Sequence, residues 1–223
     1  MAFSDAVYSG SQKVEDLECR LVRSLEEADE QVAKGYIPLM VDPEGRIIEE
    51  CHPKVVIDAI LAKRNLGTHR GMASRTIALG PGFEAGVDVD YVIETKRGHN
   101  LGRIIEKGSA YPNTGIPGVI AGYGKERVIH APGKGVFHQI CHIGERVEKG
   151  QLLGFIEGRE EQYRVEASLT GILRGIIRDG YPVTKGFKIA DIDPREGEKE
   201  NCDTISDKAR CIAGGVLEAV LRI

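Results

Sequence analysis

The sequence predicts a mixed α+β chain. A partial α/β sheet comes first, a β-rich unit built from an internal repeat follows, and a helix closes the chain. Three observations carry this. Short β-branched runs alternate with a helical segment through residues 1–96. Between Val128 and Asp193 one pattern is written twice, 36 positions apart and without a gap. Ala131, Gly135, Ile140, Gly144, Val147, Lys149, Gly150 and Ile156 recur as Ala167, Gly171, Ile176, Gly180, Val183, Lys185, Gly186 and Ile192. Finally, residues 206–223 repeat apolar side chains at helical spacing. The expected organisation is a partial α/β domain over 1–96, a glycine-rich connecting segment over 97–127, the repeat over 128–193, and a connector with the terminal helix over 194–223.

The elements follow in order. Ser24 with Glu27 forms a capping box, and "LEEADEQVAKG" reads as a helix that starts acidic and stops at Gly35. "YIPLMVDPEGR" is a short apolar strand closed by an Asp-Pro-Glu-Gly turn. "KVVIDAILAKRN" fits helix or strand, and its β-branched start after Pro53 favours strand. "RTIALGPGF" and "VDYVIET" are two further strands, so the sheet is expected to be parallel or mixed. Arg97–Gly124 is dense in glycine and proline and reads as loops around short strands. In the last helix, Ser206 and Asp207 suit the start. Ala209, Ile212, Ala213, Val216, Leu217, Val220 and Leu221 mark one buried face. Gly214 and Gly215 cost that helix about 1 kcal/mol each against alanine, a cost that close packing of another element would justify.

Composition narrows the function. The chain has 223 residues, 41% of them apolar and none tryptophan, so its core is aliphatic. A formal charge of -4 with scattered basic residues indicates neither a nucleic-acid stripe nor a membrane-binding patch. The start "MAFSDAVYSG" is not a signal peptide, and no apolar run approaches the roughly 20 residues of a membrane span. Five unclustered cysteines fit a reducing, cytoplasmic setting.

One copy of the repeat cannot bury its own apolar faces, whereas two related by a pseudo-two-fold can close on each other. "APGKGVF", "IGERVEKGQLLGFIEG", "EASLTGIL" and "DGYPVTKG" resemble the biotinyl/lipoyl-like barrel-sandwich hybrid. The carrier function does not accompany the resemblance. In the connecting hairpin "IEGREEQYRVEA" the carrier-lysine position falls on Glu160, whose carboxylate cannot form the amide to biotin or lipoate. Lys149 and Lys185 lie in matching turns and read as solvated.

Few residues offer chemistry. "HQICH" (His138, Cys141, His142) suggests a metal, but the second copy places Arg174, Ile177 and Arg178 there. The histidines are therefore expected to face away from the cysteine, and no metal site is expected. Cys51 and His52 are adjacent on extended chain and point to opposite sides. Gly80 and Gly82 of "ALGPGF" can present backbone N–H groups to an anion. The richest polar run is "ETKRGHNLGR", with Glu94, Lys96, Arg97, His99, Asn100 and Arg103. It suits a phosphate or carboxylate ligand, with His99 as a candidate acid–base group. A solvated loop with one ion pair is the plainer reading. "AKRNLGT" adds Lys63, Arg64 and Asn65 at another strand end. In a parallel sheet these loops would meet at one edge.

"FSDAVYSG", "AILAKRNLGT", "ALGPGF", "VIETKRGHNLGR", "PNTGIPG", "DIDPR" and "TISDKARCIAGGVLEA", in that order, resemble the selenium-dependent molybdenum hydroxylase system (maturation) protein family. "RGHNLGR" and "ISDKAR" are its most specific motifs. The resemblance implies a cytoplasmic accessory factor that helps molybdenum hydroxylases of the xanthine dehydrogenase kind acquire an active cofactor. The implied ligand is of molybdopterin or nucleotide type, and the implied partner is a hydroxylase subunit. Family members usually begin earlier, with a strand and an "RGAGD"-type loop of Rossmann character. Against that pattern the first domain is a Rossmann-like remnant with an expected unpaired sheet edge. Two alternatives remain: an enzyme acting on a phosphate-bearing substrate through His99, and a module that only recruits partners. Homo-oligomerisation is left open.

Overall fold

The computed structural model describes residues 2–115 and 117–222. The chain is mixed α/β, with several sheets and a C-terminal helix. It divides into two units, Met1–Thr114 with Thr204–Ile223, and Gly115–Asp203. The glycine-rich segment 97–127 is thus split between them, and the terminal helix belongs with the first.

The first unit opens with α1 (Ala6–Ser9) and the antiparallel hairpin of β1 (Ser11–Val14) and β2 (Leu17–Val22). Next, α2 (Leu25–Ala33) crosses to β3 (Ile37–Met40), which runs parallel to β2. Ser24 Oγ accepts the Glu27 N–H at 3.2 Å, while the Glu27 carboxylate accepts the Arg23 N–H at 2.7 Å, one residue further back than in a standard capping box. After α3 (Arg46–Cys51) come β4 (Val55–Asp58), β5 (Arg75–Leu79), β6 (Glu84–Ala85), β7 (Tyr91–Ile93), β8 (Ile104–Ile105) and β9 (Gly108–Ser109). β4, β5, β7 and β8 form one sheet in that order. The first three are parallel and β8 returns antiparallel. β6 pairs with β9, and β4 is an edge strand.

Alternation in these strands separates two cores. Ala78 and Val92 face Phe83, Ala85, Val89 and Ala110 on one side. Ile77 and Ile93 face α4 (Asp207–Leu221) on the other. The helix is rotated from the expected orientation. Its buried positions are Gly215 and Ala219. A Cβ on Gly215 would collide with the Gly102 carbonyl oxygen and lie 3.2 Å from Ile93 Cγ2. The turn between β7 and β8 comes so close that only a bare backbone fits beneath it. Ile212, Val216 and Val220 are left partly buried alongside, and Leu217 and Leu221 are 58% and 74% exposed. An open apolar groove of about 470 Å³ runs between this stripe and Ala59, Leu61 and Leu79.

Asp90 ties β5 to the start of β7. Its Oδ2 accepts the Thr76 N–H at 2.8 Å and the Thr76 hydroxyl at 3.1 Å, and its Oδ1 accepts the Arg70 Nε–H at 2.9 Å. Burial pushes this carboxyl up, but the Thr76 and Arg70 hydrogen bonds and the Arg70 charge outweigh it and hold it below the usual aspartate range. A depressed folded-state value gives stability above the unfolded value, about 3.9, that is lost as pH falls through the folded value. Asp90→Asn is expected to cost about 1–3 kcal/mol at pH 7 and to remove part of the acid sensitivity. Urea melts at pH 7 and pH 4 test this; an unchanged midpoint at pH 7 would contradict it.

The second unit is the repeat. Its strands are β10 (Val128–His130), β11 (Gly135–Gln139), β12 (Arg146–Val147), β13 (Leu152–Glu157), β14 (Gln162–Glu166), β15 (Gly171–Ile176), β16 (Pro182–Val183) and β17 (Lys188–Asp193). They form two four-stranded sheets, β10-β17-β15-β12 and β14-β13-β11-β16. Exchanging each strand for its repeat counterpart converts one order into the other, so each sheet takes two strands from each copy. The turns interlock in the same reciprocal way. The Gly144 N–H donates to Leu173 O and the Gly180 N–H to Phe137 O, both at 2.8 Å. The Gly150 N–H donates to Ala167 O and the Gly186 N–H to Ala131 O, at 2.8 and 2.9 Å. Neither copy completes its turns without the other. The copies differ where volume is traded. Phe137 fills the space against Gly154, whereas Leu173 and Ala190 hold the matching positions.

Candidate functional site

Because β4, β5 and β7 are parallel, the loops that follow them leave from the same sheet edge. These are the loops carrying Lys63 and Asn65, Gly80 and Gly82, and Glu94 to Arg103. The buried carboxylate of Asp58 ends β4 by accepting the Ile60 N–H at 3.0 Å and the Thr68 hydroxyl at 2.7 Å. Asn65 is committed to its own loop. It accepts the N–H groups of Gly67 and Thr68 and donates to Thr68 O, at 2.8–2.9 Å. Leu61 and Lys63 hold left-handed φ angles of 58° and 65°, which strain non-glycine residues.

The two glycines of "ALGPGF" allow close approach. The Gly80 N–H already donates to Ile93 O at 2.8 Å, and a Cβ there would stand 2.5 Å from Thr95 Oγ1. At Gly82, with φ of 112°, a Cβ would stand 2.6 Å from Arg64 N. That glycine lets the loop after β5 lie against the backbone of Lys63 and Arg64.

In the third loop, Glu94 is 2% exposed. Its Oε1 accepts the Lys96 N–H at 2.7 Å and its Oε2 accepts the Tyr111 N–H at 2.8 Å. The Lys96 ammonium lies 4.8 Å above the Tyr111 ring. Arg97 turns to the first turn of α4 and clasps Asp207 through two hydrogen bonds of 2.6 and 2.8 Å. His99 is exposed, and no hydrogen bond to its imidazole is present among the described residues, so nothing orients it as an acid or base. Asn100 and Arg103 join Glu94 around a cavity of about 210 Å³.

α4 adds a residue the sequence reading did not single out. Ser206 Oγ caps the helix by accepting the Ala209 N–H at 3.2 Å, and the half-buried Lys208 in the first turn lies within reach of the charges of Arg97, Lys63 and Glu94. Burial lowers the Lys208 ammonium below the usual lysine range. The positive charges of Arg97 and Lys63 lower it further, and Glu94 opposes them. Neither Lys63 nor Lys208 forms an ion pair among the described residues. Its position beside the helix start in "ISDKAR" was the only signal in the sequence. The edge thus places the charges of Lys63 and Arg97 near Lys208, an arrangement to which an added anion is complementary.

The tempting cysteines lie elsewhere. Cys51 ends α3 and His52 caps it at a left-handed φ of 45°, so the pair is not on extended chain as expected. Cys141 is buried, whereas His138 stacks on Phe155 and meets Glu157 at 3.1 Å, and His142 meets Glu145 at 3.1 Å. Among the described residues no group of three or more His, Cys, Asp or Glu side chains is gathered to hold a metal. Glu160 is exposed on the hairpin between β13 and β14, where the Gly158 N–H donates to Glu161 O at 3.0 Å.

No family model matches the chain. It is 48% identical over 223 residues to the uncharacterized protein YqeB of Escherichia coli K12, an alignment that spans all of this chain and 40% of that protein. The chain therefore covers about 40% of the length of the curated relative it matches. A succinylglutamate desuccinylase/aspartoacylase from Rhodobacter sphaeroides superposes with a TM-score of 0.29 and 24% identity, over 31% of this chain and 23% of that one. An aspartoacylase family protein from Mesorhizobium loti gives 0.30 and 14%, over 43% and 32%. Overlaps this small carry no argument about fold or activity.

Proposed function

We propose that this chain is an accessory factor for selenium-dependent molybdenum hydroxylases and that it holds a phosphate-bearing cofactor intermediate at the strand-end edge of its first unit. The observation that carries the reading is the clasp between Arg97 and Asp207. It joins "RGHNLGR" to "ISDKAR", the two motifs most specific to the family resemblance, across 110 positions, and it does so beside Lys63 and Lys208. Their meeting at one cationic edge, far apart in the chain, supports a shared task there. Phosphate suits that edge because lysine and arginine hold its oxygens through charge-assisted hydrogen bonds.

The first unit is then Rossmann-like, a reading supported by the β2-α2-β3 crossover and the parallel β4, β5 and β7. The second unit is a barrel-sandwich hybrid of the biotinyl/lipoyl-like kind, a reading supported by the exchange of strands between repeat copies. With Glu160 at the carrier position it serves as a platform for a hydroxylase subunit, and the factor acts in the cytoplasm.

Calorimetric titration with pyrophosphate at low ionic strength tests the ligand half. Lys63→Ala and Lys208→Ala are each expected to weaken binding about tenfold, near 1.4 kcal/mol, with unchanged circular dichroism. Unaltered affinity in both variants would remove the site. Affinity capture from the native host grown with molybdate and selenite tests the partner half. A hydroxylase subunit or stoichiometric molybdenum in the eluate is expected, and the absence of both would overturn the accessory role.

A further inference from the structure

The loop that carries Arg97 also walls the cavity of about 210 Å³, which Glu94, Asn100, Arg103, Ile105, Ser109 and Tyr111 help to line. Drug-sized pockets start at about 300 Å³, so this one admits a single ring system and not an entire nucleotide. Its wall chemistry is unusual. Removing a carboxylate from water is costly unless it is hydrogen-bonded, and Glu94 is 2% exposed. Each of its oxygens takes one backbone N–H and keeps further acceptor capacity. The Asn100 amide and the Arg103 guanidinium have no side-chain hydrogen bond or ion pair among the described residues. Ile105 and Tyr111 supply apolar surface. The lining therefore combines a carboxylate acceptor, the donors of Asn100 and Arg103, and apolar surface, a set that matches a ring with polar edges.

We propose that this cavity binds the heterocycle of the phosphate-bearing ligand and selects a 2-amino-4-oxo ring, the edge that guanine shares with pterins. Such a ring offers two parallel N–H donors, which a carboxylate accepts as a pair, and a carbonyl, which Arg103 or Asn100 can serve. An adenine-type ring puts a lone pair where the first donor would be, and a carboxylate repels it. This rests on the reading above, because the phosphate is assigned to Lys63 and Lys208.

The probes are GMP, AMP and pyrophosphate, titrated into the intact protein. GMP is expected to bind at least tenfold more tightly than AMP, since a site built to pair a donor discriminates strongly against an analogue that lacks it. Glu94→Gln is expected to bring the GMP/AMP ratio close to one. Asn100→Ala and Arg103→Ala are expected to weaken GMP about tenfold and leave pyrophosphate unchanged; these exposed-side variants decide the matter if Glu94→Gln fails to fold. Equal binding of GMP and AMP would overturn the ring assignment while pyrophosphate binding left the anion site standing. Parallel loss of GMP and AMP in Glu94→Gln, with their ratio kept, would make Glu94 a loop organiser and also overturn it. Selective GMP binding without measurable pyrophosphate binding would support the ring pocket and remove the separate anion site.

Discussion

Gly215→Ala is expected to destabilise the protein by about 1–3 kcal/mol, and Gly214→Ala, one position earlier, to stabilise it by up to about 1 kcal/mol. Helix propensity alone favours both changes, because alanine exceeds glycine by about 1 kcal/mol in a helix interior. Tertiary packing separates them. A Cβ at Gly214 meets nothing within 4 Å. At Gly215 it collides with the Gly102 carbonyl oxygen, and the contact is reciprocal, since a Cβ on Gly102 would stand 2.6 Å from Cys211 O. Neither backbone can yield without moving α4 from the β7–β8 turn, and overpacking of this kind typically costs about 1–3 kcal/mol. The same shift pulls Asp207 from Arg97 and moves Lys208, so weaker pyrophosphate binding should accompany the lower stability. Paired urea melts and titrations check both. Equal signs for the two alanine variants would show that the contact between helix and turn is looser than described.

Gly135→Ala and Gly171→Ala are each expected to cost about 3–5 kcal/mol, and by nearly equal amounts. That is a large part of a typical 5–15 kcal/mol stability. The equality is the telling part. A Cβ at Gly135 would run into Glu157 O, with Ile156 Cγ2 at 2.8 Å; at Gly171 it would run into Asp193 O, with Ile192 Cγ2 at 3.0 Å. Each obstacle is the repeat counterpart of the other. Gly175→Ala is the control. Nothing lies within 4 Å of its Cβ, and the matching position in the first copy is Gln139, which already carries a long side chain. It should be neutral or mildly stabilising. A large difference between Gly135→Ala and Gly171→Ala in guanidinium melts would contradict the two-fold account of this unit.

The candidate site was legible as a set of loops and illegible as an arrangement. "AKRNLGT", "ALGPGF" and "ETKRGHNLGR" each follow a recognisable strand, and parallel strands bring them to one edge. Three assignments within them depended on partners the sequence does not show. Asn65 is occupied by its own loop, Arg97 by Asp207, and the Gly80 N–H by Ile93. Lys208 escaped notice because a lysine in the first turn of a surface helix ordinarily faces water, and only the packing of α4 against the sheet makes it half-buried.

The sequence by itself determined the strands β3, β4, β5 and β7 and the helices α2 and α4, through local propensity and periodicity, and the two-fold character of residues 128–193, through the repeat; it did not mark the β1–β2 hairpin or α3. Buried positions repeat as small or aliphatic residues in both copies, such as Ala131 with Ala167 and Val147 with Val183. Tertiary structure alone decided the rotation of α4. The 3.6-residue pattern marks its largest apolar side chains, but the innermost line is set by how close two backbones come, and at Gly102 and Gly215 they come too close for any side chain. Periodicity records what is apolar along one element. Which part of that element lies deepest is a property of the element facing it.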